Sequence, residues 1–315
     1  MIDFREVDNV SILDLLVSKM LIFTKMDLIK VIVDTTNNWA SLPLSYFSGG
    51  GGFTAKFRDG KTKTYGSMIE FFNDAVIAYL IKSGKVKERG GAVEFDYGGR
   101  RVAMLGGLPL CAGLIFENFL NDQYSWLTVE DKTVIDIGAN IGDTAIYFGI
   151  RGAKRVYAFE PYPYAYRFAR ENIKLNGLGD RVEVLNEACG GSKDACIKID
   201  RNFKSLRNTA LKDFHHGKAI RIESIGEIVE RFGLDGAVLK IDCEGYEYGI
   251  ILDSSRKTLR RFDQIMVEYH FGYINIVKKL KEAGFSVKHT MPMFVPDRSN
   301  NAYGMLEGNI RAVKV

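Results

Sequence analysis

The chain is poor in cysteine and histidine, which narrows the kinds of site that it can hold. Its 315 residues include four cysteines, at positions 111, 189, 196 and 243, and none of them forms a Cys-x-x-Cys pair. Zinc-ribbon and thioredoxin-like sites therefore lack support. Four cysteines in a chain of this length do not suggest a disulfide scaffold either.

The chain also lacks a long apolar run and a secretory leader pattern. The N-terminal stretch has no basic segment followed by an apolar core, so no secretory signal is predicted. The most apolar run, residues 21–33, is interrupted by Lys25, Asp27 and Lys30. A run so short and so charged predicts no membrane span, and a cytoplasmic location is the resulting expectation.

A strong excess of one charge is missing as well. The formal net charge is +4, with 46% hydrophobic and 26% charged residues, a balance typical of a globular protein. Nucleic-acid binders usually concentrate basic residues in a stripe. The densest basic run, residues 256–261, is more typical of a solvated helix face. A nucleic-acid partner is therefore disfavoured, although the sequence does not exclude one.

The N-terminal third of the chain has an irregular pattern. Apolar residues follow helical spacing up to about residue 47, and the stretch SGGGG at 48–52 interrupts it. Asp59-Gly60 and Gly98-Gly99 are typical of tight hairpin turns, and a helix ending at Gly84 is predicted between them. We predict that residues 1–105 form an α+β region that caps the site, recognises a substrate or supports a homo-oligomer.

From about residue 131, apolar strands alternate regularly with helices. This pattern predicts that residues 106–315 form an α/β domain with a Rossmann-like, doubly wound sheet of seven mostly parallel strands. The last two strands follow each other closely and are predicted to form an antiparallel pair at the edge of the sheet.

The strongest motif is VIDIGANIGD at residues 134–143, a strand that passes through glycines into a helix. Such a turn places backbone N–H groups at a helix N-terminus against a ligand. The glycine spacing differs from that of dinucleotide and phosphate loops, and an acid in the strand suits an ammonium group better than a pyrophosphate. We expect Gly138 to allow close approach of the ligand, and Gly142 to allow close packing of the helix on the sheet. The predicted ligand-binding residues are Asp136, Gly138, Asn140, Gly142 and Asp143.

The next two strands also end in polar residues. Glu160, followed by Pro161, ends the second strand, where a carboxylate accepts hydrogen bonds from a ribose diol in nucleotide-binding folds. The third strand ends at Asn186, Glu187 and Ala188, in the position to border an adenine.

The fourth and fifth strands end in acids and a histidine. Asp242 and Glu244 follow the fourth strand, and Glu268 and His270 end the fifth. In a doubly wound sheet these side chains converge above the carboxyl edge, where His270 has the intrinsic pKa of a general base. A hydrogen-bonded strand-end histidine is an equal alternative. Metal binding by these oxygens and one imidazole stays open, but no metal is predicted because no dedicated ligand spacing is present.

Three neighbouring features have a structural interpretation beside a functional one. Lys240 lies inside the fourth strand, where a buried ammonium needs a partner, and Asp136 or Glu268 is the expected one. A role for Lys240 in orienting the substrate or the base is the alternative. Glu247 is interpreted as an acid at a helix N-terminus. The pair His215-His216 is interpreted as a solvated loop, with a substrate lid as the alternative.

The motifs VIDIGANIGDTA, YAFEP, KIDCEGYE and MVEYH, in this order and spacing, resemble the FkbM family of S-adenosylmethionine-dependent methyltransferases. The resemblance covers about residues 115–315 and implies a class I methyltransferase fold, S-adenosylmethionine as methyl donor and frequently a hydroxyl acceptor. The upstream segment FENFLNDQYSWL also resembles the family, with Tyr124 as a candidate wall of the cofactor pocket. By this match the cofactor roles fall to Asp136, Gly138, Asn140, Gly142 and Glu160.

Two competing methylation chemistries lack their residues. Amino-group methylases of bases commonly carry Asn/Asp-Pro-Pro-Tyr/Phe after the fourth strand, where this chain has Asp242, Cys243 and Glu244. A cysteine nucleophile is disfavoured because a neighbouring carboxylate raises a thiol pKa. We expect O-methylation of a sugar, glycan or small metabolite, and an RNA methyltransferase or a cofactor-binding module without turnover are the alternatives. The predicted catalytic residues are His270, Asp242, Glu244, Glu268 and Lys240.

Overall fold

The computed structural model describes residues 26–47, 52–66, 68–191, 196–199, 218–295 and 305–315. The described residues form two compact units, one within Lys19–Gln123 and one within Tyr124–Val315. The division between the units follows Gln123, and the functional boundary predicted between residues 105 and 106 stays a prediction. Among the described residues, no helix combines the length and the apolar character needed to cross a membrane.

The smaller unit combines helices with two small antiparallel sheets. Its elements are α1 (Met26–Thr35), α2 (Leu42–Phe47), β1 (Phe53–Lys56), β2 (Thr62–Tyr65), α3 (Met68–Lys82), β3 (Val86–Arg89), β4 (Ala92–Tyr97), β5 (Arg100–Leu105) and α4 (Leu108–Leu114), which continues as a π-helical turn (Ile115–Leu120). Strands β1 and β2 pair as one hairpin, and β3, β4 and β5 form a three-stranded meander.

Both predicted hairpin turns of this unit are confirmed. Gly98 and Gly99, the two residues between β4 and β5, have φ values of 57° and 74°, the left-handed backbone that a two-residue hairpin turn needs. Asp59 and Gly60 lie in the longer connection between β1 and β2, where Gly60 has a φ of 91°. The predicted helix ends at Lys82, and Gly84 follows it with a φ of 65°.

The larger unit is built on one twisted sheet. Its elements are β6 (Thr133–Ile137), α5 (Asp143–Ile150), β7 (Arg155–Phe159), α6 (Pro163–Leu175), β8 (Val182–Leu185), β9 (Ala188–Gly190), β10 (Cys196–Ile199), β11 (Lys218–Ser224), α7 (Ile225–Phe232), β12 (Ala237–Ile241), α8 (Glu247–Leu252), α9 (Arg256–Leu259), β13 (Phe262–Tyr269), α10 (Ile274–Glu282), β14 (Phe285–His289), β15 (Met293–Val295) and β16 (Met305–Lys314).

The order of the main sheet is β8-β7-β6-β12-β13-β16-β14. Strands β8, β7, β6, β12 and β13 are parallel, and β16 runs antiparallel to both of its neighbours. This confirms the predicted Rossmann-like, doubly wound and mostly parallel sheet. The predicted antiparallel pair at the edge of the sheet is confirmed as β14 and β16, with β16 lying between β13 and β14. Strand β15 pairs with β16 as an additional short strand.

Two strands at the centre of the sheet position the site. All five residues of β12 are buried, and four of the five in β6 are. The chain leaves β6 toward β7 on one side, while β12 lies on the other, so the strand order reverses between them. Ligands of doubly wound folds bind beyond the carboxyl ends of the strands at such a reversal.

Candidate functional site

A cavity opens at the reversal point, at the carboxyl ends of β6, β7 and β12. Its wall brings together several residues predicted from sequence with others that were not. The lining residues are Ile137, Gly138, Asn140, Phe159, Glu160, Pro161, Tyr162, Ala165, Glu187, Ala188, Cys189, Ile197, Ile222, Asp242, Cys243, Glu244 and Tyr246. The apolar contributions of Ile197 and Ile222 come from β10 and β11, which pair with each other beside β9.

The first glycine of the loop after β6 is required by a backbone contact. Gly138 has a φ of 78°, and a Cβ atom placed on it would lie 1.7 Å from the backbone oxygen of Asp242. The backbone N–H of Gly138 donates to the Phe159 carbonyl at 3.0 Å. The close approach that this glycine allows is therefore to the end of β12, at a point that also lines the cavity.

The second glycine packs differently from the prediction. Gly142 caps α5 with a φ of 87°, and a Cβ there would meet the Cα of Ala169 at 3.1 Å. Ala169 belongs to α6, so the close packing is between two helices rather than between a helix and the sheet. The neighbouring Asp143 begins α5 and is buried, and burial raises its pKa to about 7.

Glu160 lies where the sequence places it, at the cavity wall beyond β7. Its Oε2 accepts a hydrogen bond from the N–H of Asn140 at 3.0 Å, and its Oε1 accepts one from the N–H of Tyr162 at 2.8 Å. Asn140 has a left-handed φ of 47°, which turns its N–H toward the carboxylate. Burial raises the pKa of Glu160 to about 7, against the two backbone hydrogen bonds that lower it.

The three residues that follow β8 make different contacts. Ala188 and Glu187 line the cavity, and Glu187 also forms a two-pronged ion pair with Arg231 at 2.5 and 3.2 Å. Asn186 is not on the cavity lining. Its side-chain amide donates to the carbonyls of Glu160 and Pro161 at 2.9 and 2.8 Å, so it holds the backbone that presents Glu160.

A buried ion pair lies behind the cavity, in a group that we name the Lys240 cluster (Lys240, Asp136 and Thr144). Lys240 and Asp136 are register partners on β12 and β6, and Nζ lies 3.1 Å from Oδ1. Thr144 donates to the other carboxylate oxygen at 2.6 Å, and Nζ donates to the Gly138 carbonyl at 3.0 Å. Burial disfavours the charged lysine, but the carboxylates outweigh it and raise its pKa. Of the two predicted partners of Lys240, Asp136 is confirmed.

A second polar group, the His270 cluster (Asp242, Glu244, Glu247 and His270), lies where β12 and β13 end. Nδ1 of His270 is 2.8 Å from Oε1 of Glu247, and Nε2 is 3.9 Å from Asp242 and 3.7 Å from Glu244. Burial disfavours the charged imidazole, but the carboxylates of Glu247, Glu244 and Asp242 outweigh it and raise the pKa of His270 well above its ordinary value. Burial raises the pKa of Glu244 to about 7.

Glu247 is the site residue that sequence reasoning missed. It begins α8 as predicted, but it is fully buried and its Oε1 also accepts hydrogen bonds from the N–H groups of Cys243 and Gly245, each at 3.1 Å. Burial would raise its pKa, but His270 outweighs that and lowers it. The pairing with His270 depends on how α8 and β13 come together, and no local pattern shows it.

Besides Asn186, the predicted site residues that do not lie on the cavity lining are Tyr124, Asp136, Gly142, Asp143, Lys240, Glu268 and His270. Tyr124 is buried and packs edge-to-face on Tyr147 and Phe148, with ring centroids 6.0 and 5.6 Å away. Its role as a wall of the cofactor pocket stays a prediction. Glu268 is half-buried and lies opposite Asn309 on β16.

Cys243 lines the cavity, but its surroundings do not activate the thiol as a nucleophile. Burial raises the pKa of its thiol well above the ordinary value, and the carboxylates of Glu247 and Asp242 act in the same direction. A thiol of this kind is a poor nucleophile at neutral pH. The predicted loop at His215-His216 lies outside the described residues.

Comparisons with known proteins match parts of the chain to methyltransferases. The sequence model of the methyltransferase FkbM domain matches residues 136–287. The ribosomal protein L11 methyltransferase of Carboxydothermus hydrogenoformans is 41% identical over 54 residues, 17% of this chain and 18% of that protein. The tRNA (guanine(37)-N(1))-methyltransferase Trm5b of Pyrococcus abyssi is 29% identical over 133 residues, 42% of this chain and 36% of that protein. The chain thus spans well under half the length of these relatives.

Solved structures resemble the chain at low identity. A SAM-dependent methyltransferase from Agrobacterium tumefaciens shares 12% identity with a TM-score of 0.43, over 73% of this chain and 72% of that one. The precorrin-6y C5,15-methyltransferase of Geobacter metallireducens shares 15% identity with a TM-score of 0.37, over 62% of this chain and 86% of that one.

Proposed function

Residues 136–287 form a methyltransferase domain of the FkbM family, dependent on S-adenosylmethionine, and from this premise we propose that the protein methylates a hydroxyl group of a sugar, glycan or small metabolite. The observation that carries the proposal is the His270 cluster, which places two half-buried carboxylates on the wall of the cofactor cavity. Bound S-adenosylmethionine supplies an electrophilic methyl group. What the protein adds for a hydroxyl acceptor is alignment and a group that takes the proton.

The cavity residues fit S-adenosylmethionine. Each oxygen of Glu160 accepts one backbone hydrogen bond, and a carboxylate has about four acceptor positions. Glu160 therefore keeps acceptor capacity for the two hydroxyls of a ribose. The residue beyond it, Pro161, and Ala188 supply small apolar surface to the same cavity, which suits an adenine between them.

For the proton acceptor we favour a carboxylate over the predicted histidine. With its pKa raised well above the ordinary value, His270 is protonated at neutral pH and cannot accept a further proton. Glu244 lines the cavity, and its side chain is 31% exposed. It also has a φ of 55°, a left-handed conformation that non-glycine residues adopt rarely and that concentrates at functional sites. A pKa of about 7 suits proton transfer at neutral pH.

A labelled methyl donor tests the proposal. The purified chain is incubated with isotopically labelled S-adenosylmethionine and separate pools of glycans, small hydroxylated metabolites and RNA, and mass spectrometry locates the transferred methyl group. We expect a methyl ether on an acceptor oxygen, and at a limiting donor concentration we expect less of it with the Glu160→Ala variant. Methyl transfer only to a nitrogen or carbon atom would contradict the proposed O-methylation.

RNA methylation is the second candidate, and it is favoured by one comparison. The Pyrococcus abyssi relative is named as a tRNA methyltransferase. Two exposed cations of the smaller unit are paired with acids, Arg101 with Asp96 and Glu94, and Lys63 with Asp74, which reduces the positive charge that they offer to RNA. The RNA pool of the labelling experiment decides between the two, together with the salt dependence of RNA binding. Cofactor binding with no transfer to any pool would indicate a module without turnover.

A further inference from the structure

The His270 cluster has a donor set that its hydrogen bonds do not exhaust. One nitrogen of His270 and one oxygen each from Asp242 and Glu247 lie within 4.8 Å of one another. Glu247 is fully buried, and its Oε1 receives the hydrogen bonds from the two backbone N–H groups and faces the imidazole. Its Oε2 is buried as well and has no hydrogen-bond partner. A buried carboxylate oxygen without a partner is costly unless something binds it.

The charges of the cluster point to the same conclusion. Three carboxylates, those of Asp242, Glu244 and Glu247, surround a single imidazole. The nearby ammonium of Lys240 is 3.1 Å from Asp136 and 3.8 Å from Asp242, so it belongs mainly to its own cluster. Buried carboxylates in excess over their cations are stabilised by a further positive charge.

We propose that Asp242, Glu247 and His270 bind one divalent metal ion of the first transition row, for which Mn²⁺ is a suitable probe. Two carboxylates with one imidazole are a mixed oxygen and nitrogen donor set of the kind that such ions accept. The ion would displace one proton from His270, because an imidazole nitrogen ligates a metal only when it carries no proton. The proposal rests on the proposed function for its role: the ion would lie beside the cofactor cavity, hold the acceptor hydroxyl and lower its pKa.

The distances suit an ion after a small adjustment. Metal–ligand bonds of about 2.1 Å separate the ligands of one ion by about 3 Å when adjacent and about 4.2 Å when opposite. The 4.8 Å that encloses the three donor atoms exceeds this by less than about 1 Å. Asp242, whose side chain is 31% exposed, is the ligand that can move. The 3.9 Å between Asp242 and Nε2 is too long for a hydrogen bond, so that separation holds no direct bond that an ion would have to break.

Mn²⁺ titration of the full chain, after dialysis against a chelator, tests the site without any acceptor. Electron paramagnetic resonance of free Mn²⁺ and titration calorimetry report the stoichiometry and the dissociation constant. We expect one ion per chain. Asp242→Asn and His270→Gln should each weaken binding by about tenfold or more.

Two matched variants serve as controls. His289→Gln removes an exposed histidine of β14, and Asp235→Asn removes an exposed acid paired with Arg261. Both should bind Mn²⁺ as the unmodified chain does. Circular dichroism checks the fold, and if His270→Gln does not fold, the half-exposed Asp242→Asn decides alone. No saturable binding up to about 1 mM, or unchanged binding in the variants that fold, would overturn the metal site.

This outcome is separable from that of the proposed function. If the chain binds one Mn²⁺ through these residues but methylates no hydroxyl, the metal site is supported and the proposed O-methylation is contradicted. If the chain methylates hydroxyls equally well after chelation, with no Mn²⁺ bound, the proposed function is supported and the metal site is contradicted.

Discussion

The Lys240 cluster and the His270 cluster lie at the same carboxyl edge of the sheet, but they differ in the balance of their charges. In the first, one ammonium and one carboxylate are fully buried and form an ion pair of 3.1 Å. Thr144 donates a hydrogen bond to the carboxylate, and the ammonium donates one to the Gly138 carbonyl. In the second, carboxylates outnumber the single imidazole, and two of them reach the cavity. The closed group joins β6 to β12, whereas the open group has acceptors left for a substrate or an ion.

The largest effect is expected from breaking the closed cluster. Lys240→Met leaves the carboxylate of Asp136 buried without its cation, and removal of one partner of a buried pair costs about 3–5 kcal/mol of unfolding free energy. Urea denaturation of both chains measures this difference. Lys132→Met is the matched control, because its ion pair with Asp263 is partly exposed and is worth about 1 kcal/mol or less.

The double variant Lys240→Met with Asp136→Leu sharpens this result. Removing both charges together should restore part of the lost stability, because no unpaired carboxylate remains. If Lys240→Met is no less stable than Lys132→Met, the cluster does not hold the two strands together.

The open cluster should respond in turnover rather than in stability. His270→Gln removes the positive charge between Glu244 and Glu247, which shifts the proton affinity and position of the carboxylates at the cavity. We expect kcat to fall by about 100-fold, while the dissociation constant of S-adenosylmethionine, measured by calorimetry, changes by less than about threefold.

The control for this variant is His289→Gln, which removes an exposed histidine far along the chain from the site motifs. It should leave kcat and cofactor affinity unchanged. Full activity of His270→Gln would show that the imidazole takes no part in the reaction. It would also contradict the inference that the His270 cluster acts in turnover.

The two clusters also differ in how far the sequence predicts them. The ion pair of Lys240 with Asp136 is predictable from the strand order. The two apolar strands are neighbours and carry one charged residue each, and a buried charge needs a partner of opposite sign. The partner of Glu247 does not follow, since it depends on where α8 meets the end of β13. Gly142 is a similar case: its positive φ is predictable from the motif, but its contact with Ala169 of α6 belongs to tertiary packing. The positions of Tyr124 and Asn186 off the cavity lining likewise depend on tertiary packing.

Beyond the clusters, Glu160 sets the expected affinity for the cofactor. Glu160→Ala removes a carboxylate from the cavity, and hydrogen bonds to a charged group are worth about 1.5–3 kcal/mol. We expect the dissociation constant of S-adenosylmethionine to rise about tenfold or more. Glu183→Ala, on the neighbouring β8, is the matched control, because its ion pair with Arg155 lies off the cavity lining. Equal affinities of the two variants would exclude Glu160 from the ribose role.

The smallest expected effect is a pair of opposite pH trends from the same carboxyl group. Glu160 has a pKa of about 7 in the folded chain against an ordinary value of 4.5, so between these pH values the folded state holds a proton that the unfolded state has lost. Its contribution to stability is therefore complete below pH 4.5 and is lost as the pH rises through 7, with a slope of at most about 1.4 kcal/mol per pH unit.

Cofactor affinity should move the other way, because only the ionised carboxylate accepts hydrogen bonds from both ribose hydroxyls. Between pH 6 and 8 the ionised fraction of a group with a pKa of about 7 rises about tenfold, and the dissociation constant should fall by up to that factor. Calorimetry and urea denaturation at pH 6 and 8 measure both trends, and Glu160→Gln should weaken both. Parallel rather than opposite trends in the unmodified chain would mean that another group controls them, and the titrating residue would then have to be sought in the His270 cluster.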